Sequence, residues 1–226
     1  MTNRQHTRYE IRWGSLLSPL SSLLLLAGML MTGVGGAFLP WIWRDSVALR
    51  LTGPGLAEFV KFLPQVRAGQ VSIERLYFLL PLFGAMLALP LAAENKTLAL
   101  PTWLRWSLRL AVIPLALASL SPVWSPATLI AAEFRLQTIL AVTAVGLAVI
   151  APLLKNLSLK IIAAGWGVTG LTAIILPLEQ FSLIQTDMVE SYHEPVALGW
   201  GWWVTVAAIG ISIVGGIATS AQKRPS

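Results

Sequence analysis

The sequence predicts an all-α fold, a polytopic membrane bundle of six transmembrane helices, and three observations carry that prediction. Six apolar runs recur along the chain, each close to the roughly 20 residues needed to cross about 30 Å of hydrocarbon. The composition is 56% hydrophobic and only 12% charged, against about 45–50% and 25% in soluble domains. Tryptophans and basic residues gather at the ends of the runs, as the two faces of a bilayer demand.

The predicted spans cover residues 19–39, 73–93, 104–120, 136–154, 159–178 and 198–219. Ser18 before Pro19 is a helix start, and the first run exceeds the 7–15 residues of a signal-peptide core, so it reads as a retained span, with a signal peptide cleaved near the small residues Gly35-Gly36-Ala37 the alternative. Pro81, Pro90 and Pro114 fall inside the second and third runs. A packed bundle tolerates prolines there because neighbours re-satisfy the freed carbonyls. Lys155–Lys160 is a very short link between the fourth and fifth spans. The whole chain forms one membrane domain, with no stretch left for a separate soluble one.

Residues 40–72 are the only long segment outside the apolar runs. Val47, Leu49 and Leu51 alternate with polar or small neighbours, the period of an extended segment with one face buried. Thr52-Gly-Pro-Gly ends it. Leu56, Phe59, Val60 and Leu63 then recur at helical spacing, predicting an amphipathic helix over 56–63 that lies at the interface or packs as a lid on the helix ends. Ser72 reads as the N-cap of the second span, with Glu74 in its first turn.

Charge sets the orientation. With the N-terminus inside, the inner segments hold Arg4, Arg8, Arg12, Lys96, Arg105, Arg109, Lys155, Lys160, Lys223 and Arg224, ten of the sixteen Lys and Arg, with only Glu10 and Glu94. Eight of the ten acids then lie outside. The positive-inside rule selects N-in and C-in, in a plasma or inner membrane. The net charge of +6 is thereby explained by topology, and a nucleic-acid partner is not expected. Both Asn-x-Ser/Thr sequons, at Asn95 and Asn156, fall inside. Nine of the ten tryptophans flank spans; Trp166 stands within the fifth, between Gly165 and Gly167, where it fills a packing notch or lines a cavity.

Small residues mark helix contacts: Ala208, Ser212 and Gly216 in the sixth span, Ala141, Ala144, Ala148 and Ala151 in the fourth, Thr32 and Gly36 in the first. No ionisable residue lies near the centre of a span, and Arg109 is close enough to an inner end to snorkel. Proton relays and charge-lined ion paths are therefore disfavoured. Gln137, Thr138, Thr143, Thr169 and Thr172 are expected to make interhelical hydrogen bonds.

The chain has no cysteine, which excludes thiolate chemistry and disulfides. Glu179, Asp187, Glu190, His193 and Glu194 gather between the last two spans, and Glu190-x-x-His193 is a spacing that places a carboxylate and an imidazole on one helix face. With no second motif to complete a ligand set, Glu190, His193 and Glu194 read as a solvated acidic loop, with metal binding the alternative. Glu133 and Arg135 are expected to pair with each other or with these acids. No phosphate loop, nucleophile elbow or His-Glu-x-x-His helix is present, so no enzyme and no cofactor is expected.

Two functions fit these readings. One is a non-catalytic membrane subunit that binds a membrane protein partner, besides the lipid bilayer itself, through its outer loop and helix faces. The other is a small-molecule carrier component in which Phe59, Leu63 and the rest of residues 40–75 close over an apolar pocket. Six helices, short inner loops and a lid-like first outer loop resemble, in architecture alone, the substrate-capture subunits of energy-coupling-factor vitamin transporters. That resemblance implies the second reading.

Overall fold

The computed structural model describes residues 13–44 and 49–221. The basic head of residues 1–12, Val47, and the C-terminal Lys223 and Arg224 lie outside the described residues. Ten α-helices and one small hairpin occur among them: α1 (Trp13–Phe38), β1 (Ile42–Arg44), β2 (Leu49–Leu51), α2 (Gly53–Phe59), α3 (Pro64–Arg67), α4 (Leu80–Glu94), α5 (Thr102–Leu110), α6 (Val112–Ser119), α7 (Pro126–Ile130), α8 (Ala132–Ile150), α9 (Leu159–Tyr192) and α10 (Trp200–Ala221). Five helical segments are long and apolar enough to cross a membrane: Pro19–Phe38, Arg75–Glu94, Ala132–Leu154, Leu159–Tyr192 and Trp200–Ala221.

The remaining expected span, 104–120, is two shorter helices that break at Ala111. Pro114 explains the break, because it cannot donate to the carbonyl of Leu110 and its ring crowds that carbonyl. α1 is already helical from Trp13, so Pro19 lies inside it rather than at its start. The second segment is capped by Glu74, not Ser72. The Glu74 carboxylate accepts from the Leu76 amide, 3.2 Å away, and a 3-10 turn over Arg75–Leu79 leads into α4.

α4 is apolar on every side and sits at the centre, packed by α1, α5, α6, α8 and α9. α1 and α10 form the most extensive pair, antiparallel and in close backbone contact. A β-carbon on Gly28 would lie 2.6 Å from Cβ of Ser212, one on Gly35 2.4 Å from Oγ1 of Thr205, and one on Gly215 2.5 Å from the Leu25 amide. Glycines permit this approach where lipid offers no hydrophobic drive to association. Trp166 is a packing residue: its ring edge lies 3.4 Å from where a Gly84 β-carbon would stand, and its indole N–H donates to Ser212 Oγ at 2.7 Å.

At the opposite surface of the bundle, α8 and α9 turn most of their apolar side chains outward, among them Val142, Val149, Val168 and Ile175. This is the pattern of a lipid-facing surface. Gln137 does bond between helices, to the Ser119 carbonyl. Thr169 and Thr172, by contrast, return their hydroxyls to Gly165 and Val168 of their own helix, the usual fate of an in-helix threonine that lacks a partner within reach.

Candidate functional site

One end of the bundle carries an ordered cap, and α9 is the reason it is ordered. This helix runs 34 residues, about 51 Å at 1.5 Å per residue, and so outlasts roughly 30 Å of hydrocarbon by nearly four turns. The stretch from Glu179 to Tyr192, expected as a solvated loop, is therefore helical. Phe181, Ile184 and Met188 follow one another at helical spacing and are buried in the cap's core. Their burial against residues 53–79 is what prolongs the helix.

The chain after α1 builds the opposite wall. The Trp41 indole is fully buried, donates to the Gly35 carbonyl at 3.1 Å and meets the buried Trp202 ring edge-on at 4.8 Å. These two tryptophans are thus core, not members of an interfacial belt. The hairpin pairs Ile42 with Leu51 and Arg44 with Leu49, burying Ile42 and Leu49 while Arg50 stays exposed over the Trp43 ring. Thr52 then caps α2, its hydroxyl accepting from the Gly55 amide. The amphipathic helix starts at Gly53, three residues earlier than the apolar period indicates, and ends in a 3-10 turn over Val60–Phe62. Leu56, Val60 and Leu63 face inward and are buried. Phe59 is half-buried, its ring 6.1 Å from Tyr192 on α9.

A charge network fastens α2 to the bundle. Arg75 Nη1 donates to Glu58 at 2.9 Å and Arg75 Nη2 to the Glu133 carbonyl, while Lys61 Nζ lies 2.6 Å from both Glu58 and Glu133. The Phe134 ring lies beneath both cations, 4.7 Å from the Arg75 guanidinium and 5.0 Å from the Lys61 ammonium. Glu133 consequently pairs with these two residues, and not with Arg135 or the acids of α9 as the sequence suggests. Burial lowers the Lys61 pKa, but hydrogen bonds to Glu133 and Glu58 outweigh it and leave the ammonium above its ordinary value. Across the cap, the Glu74 amide donates to Gln180 Oε1 at 2.8 Å, and Gln185 Nε2 to the Val196 carbonyl at 2.7 Å.

Beneath α2 lies a cavity of about 380 Å³ between Ala57, Glu58, Leu79, Leu117, Leu120, Trp124 and Gln137. It is apolar apart from Glu58, Ser121 and Gln137, the mixture typical of a small-molecule site. Leu63 packs into the cap's core, and neither it, Phe59 nor Trp166 lines this cavity.

Glu190, His193 and Glu194 do not converge. Glu190 is exposed on the last turn of α9, and His193 leaves the helix in the left-handed conformation, φ 53°, so the two never share the helix face that their spacing suggests. Among the described residues no group of three His, Cys, Asp or Glu side chains could hold a metal ion. The sequence reading missed Arg75, Lys61 and Glu58 as a set, since they come together only when α2 folds back on the helix ends.

No protein-family model, curated protein or solved structure matches this chain.

Proposed function

We propose that this protein is a non-catalytic integral membrane subunit that presents its outer cap to a membrane protein partner. In this reading the chain crosses the cell membrane six times, N-in and C-in, with α5 and α6 together forming a broken third span. The observation that carries the reading is the extension of α9 beyond bilayer thickness, fused by Gln180 and Tyr192 to the segment after α1 and by Gln185 to the link before α10. Such a construction makes a rigid platform at that end of the bundle. The platform exposes Phe62, 67% accessible, and Leu183 on α9, apolar groups placed beyond the spans.

A photo-crosslinking residue at Phe62 or Leu183 in living cells should give one discrete heavier protein band, while the same residue at lipid-facing Val142 gives lipid adducts only. Lipid or no adducts at all three positions would end the proposal. Topology is tested with single cysteines in this cysteine-free chain. Gln70 and Gln185 should react with an impermeant maleimide in intact cells, and Asn156 should not.

The cavity beneath α2 favours a second reading, a carrier component that holds a small, mostly apolar molecule there. Filling it with Ala118→Trp would abolish uptake or ligand binding in that case and leave crosslinking at Phe62 intact.

A further inference from the structure

At the inner end, Lys96 in the turn after α4, Lys155 in the link between α8 and α9 and Lys160 in the first turn of α9 surround a polar cavity of about 440 Å³, with Asn95, Ser158 and Ser220. None of the three ammonium groups has a carboxylate partner among the described residues. The nearest buried acid on this side, Glu94, is already held by Arg105 at 3.6 Å and Arg109 at 3.3 Å. The Ser220 hydroxyl is buried without a hydrogen-bond partner. Three uncompensated lysines around one cavity create a local positive potential that an anion with more than one acceptor oxygen would satisfy.

The chemistry of that anion is narrowed by what adjoins the cavity. Thr97 lines both this cavity and a second one of about 580 Å³ between α1 and α5, walled by Leu23, Leu26, Ala27, Leu30 and Leu104. That groove is walled mostly by apolar side chains and meets the lysine cavity at Thr97. A charged polar mouth joined to an apolar groove at the end of a span is complementary to a phosphate carrying a hydrocarbon chain, not to a free anion. We infer that the inner end binds one anionic glycerophospholipid, its phosphate among Lys96, Lys155 and Lys160 and one acyl chain in the groove between α1 and α5. The site follows from the bundle's position in a bilayer and does not depend on the outer cap's role.

The test uses the full-length protein purified in a neutral detergent and returned to phosphatidylcholine nanodiscs with graded phosphatidylglycerol. Native mass spectrometry should find phosphatidylglycerol retained over phosphatidylcholine, and added phosphatidylglycerol should raise the melting temperature. Each of Lys96→Gln, Lys155→Gln and Lys160→Gln should weaken retention about fivefold, the loss of one lysine near a lipid phosphate. All three lysines are exposed, so these variants keep the core intact. Ala27→Trp, at an exposed position on the groove wall, should block retention with every lysine present. Equal retention of the two lipids, or retention unchanged in the triple lysine variant or in Ala27→Trp, would overturn the inference. A melting shift reproduced by inorganic phosphate alone would overturn it too, by showing an anion site with no use for the groove.

Discussion

Gly28→Ala is the sharpest test of how this bundle is held together. The new β-carbon would stand 2.6 Å from Cβ of Ser212, 2.7 Å from the Ala208 carbonyl oxygen and 2.8 Å from the Ser212 amide. Two of these three neighbours are backbone atoms, so no rotamer change relieves the clash. Bringing the shortest contact to the roughly 3.4 Å of ordinary van der Waals touch requires α1 and α10 to part by about 0.8 Å locally, enough to forfeit a quarter to a half of the dispersion energy of each contact in the seam. The clashing contacts at Gly35 and Gly215 sit in the same seam and limit how far tilting can spread the strain. Overpacking of this kind costs about 1–3 kcal/mol, and the backbone partners place Gly28→Ala near the upper end. Gly210→Ala is the control within the same seam-forming helix, since nothing lies within 4 Å of its β-carbon. It should be neutral or stabilise by up to about 1 kcal/mol through helix propensity. Reversible unfolding in mixed micelles, or steric trapping in bicelles, measures both. Equal stabilities for the two variants would refute close backbone approach as the basis of the α1–α10 pair.

The remaining expectations concern the polar clamps and one strained turn. Arg75→Ala leaves Glu58 and Glu133 to Lys61 alone and should cost about 2 kcal/mol, between the values for exposed and fully buried pairs; faster tryptic cleavage at Arg67 reads it out. Because the Lys61 pKa is raised in the folded cap, its contribution is complete below about 10.5, the unfolded value, and is lost as pH climbs through the higher folded one; cap protection should therefore fall in strong alkali, less so in Lys61→Gln. Arg109 donates to the carbonyls of Ala148 and Val149 and to Glu94 while stacking 4.4 Å from the Trp106 ring, so Arg109→Lys, which cannot make this fork, should destabilise by about 1–2 kcal/mol in thermal melts. Ala99 holds φ 47°, a conformation that costs an alanine about 1–2 kcal/mol, and Ala99→Gly should raise the melting temperature.

Much of the bundle was legible because lipid imposes a single length on its spans. The second, fourth and sixth runs fall within a few residues of the helices that the structure forms. The small residues at Ala208, Ser212 and Gly216 mark faces in tight contact: Ala208 and Ser212 against Gly28, Gly216 against Ala163. Two features escaped for physical reasons. A hydropathy window ends a span where polar residues begin, so it stopped α9 at 178. Yet Phe181, Ile184 and Met188 keep a helical period across Glu179 and Asp187 and carry the signal that the helix continues into the cap. The third run looks continuous in hydropathy, which sums side chains and takes no account of the missing amide of Pro114. The Arg75, Lys61, Glu58 and Glu133 cluster left no local signal, since its members are separated by up to 75 positions and each reads alone as a charge near a span end.

The two charge clusters sit at opposite ends of α8, and that placement follows from what holds each helix. α1 and α10 meet through glycine, where backbone approach supplies dispersion contact along the whole seam. α8 presents Ala141, Ala144 and Ala148 to the bundle but leaves most of its apolar surface outward, so its lateral contact is thinner. At its N-terminal end Glu133 and Gln137 engage Arg75, and at its C-terminal end the Ala148 and Val149 carbonyls receive Arg109. The C-terminal contact also complements the negative pole of the helix dipole. The Glu133 clamp keeps its charges partly exposed, whereas Arg109 and Glu94 are largely buried and compensate each other. The consequence is a bundle with two kinds of seam. The α1–α10 pair should be indifferent to ionic strength, and the attachment of α8 should weaken as salt screens its ends.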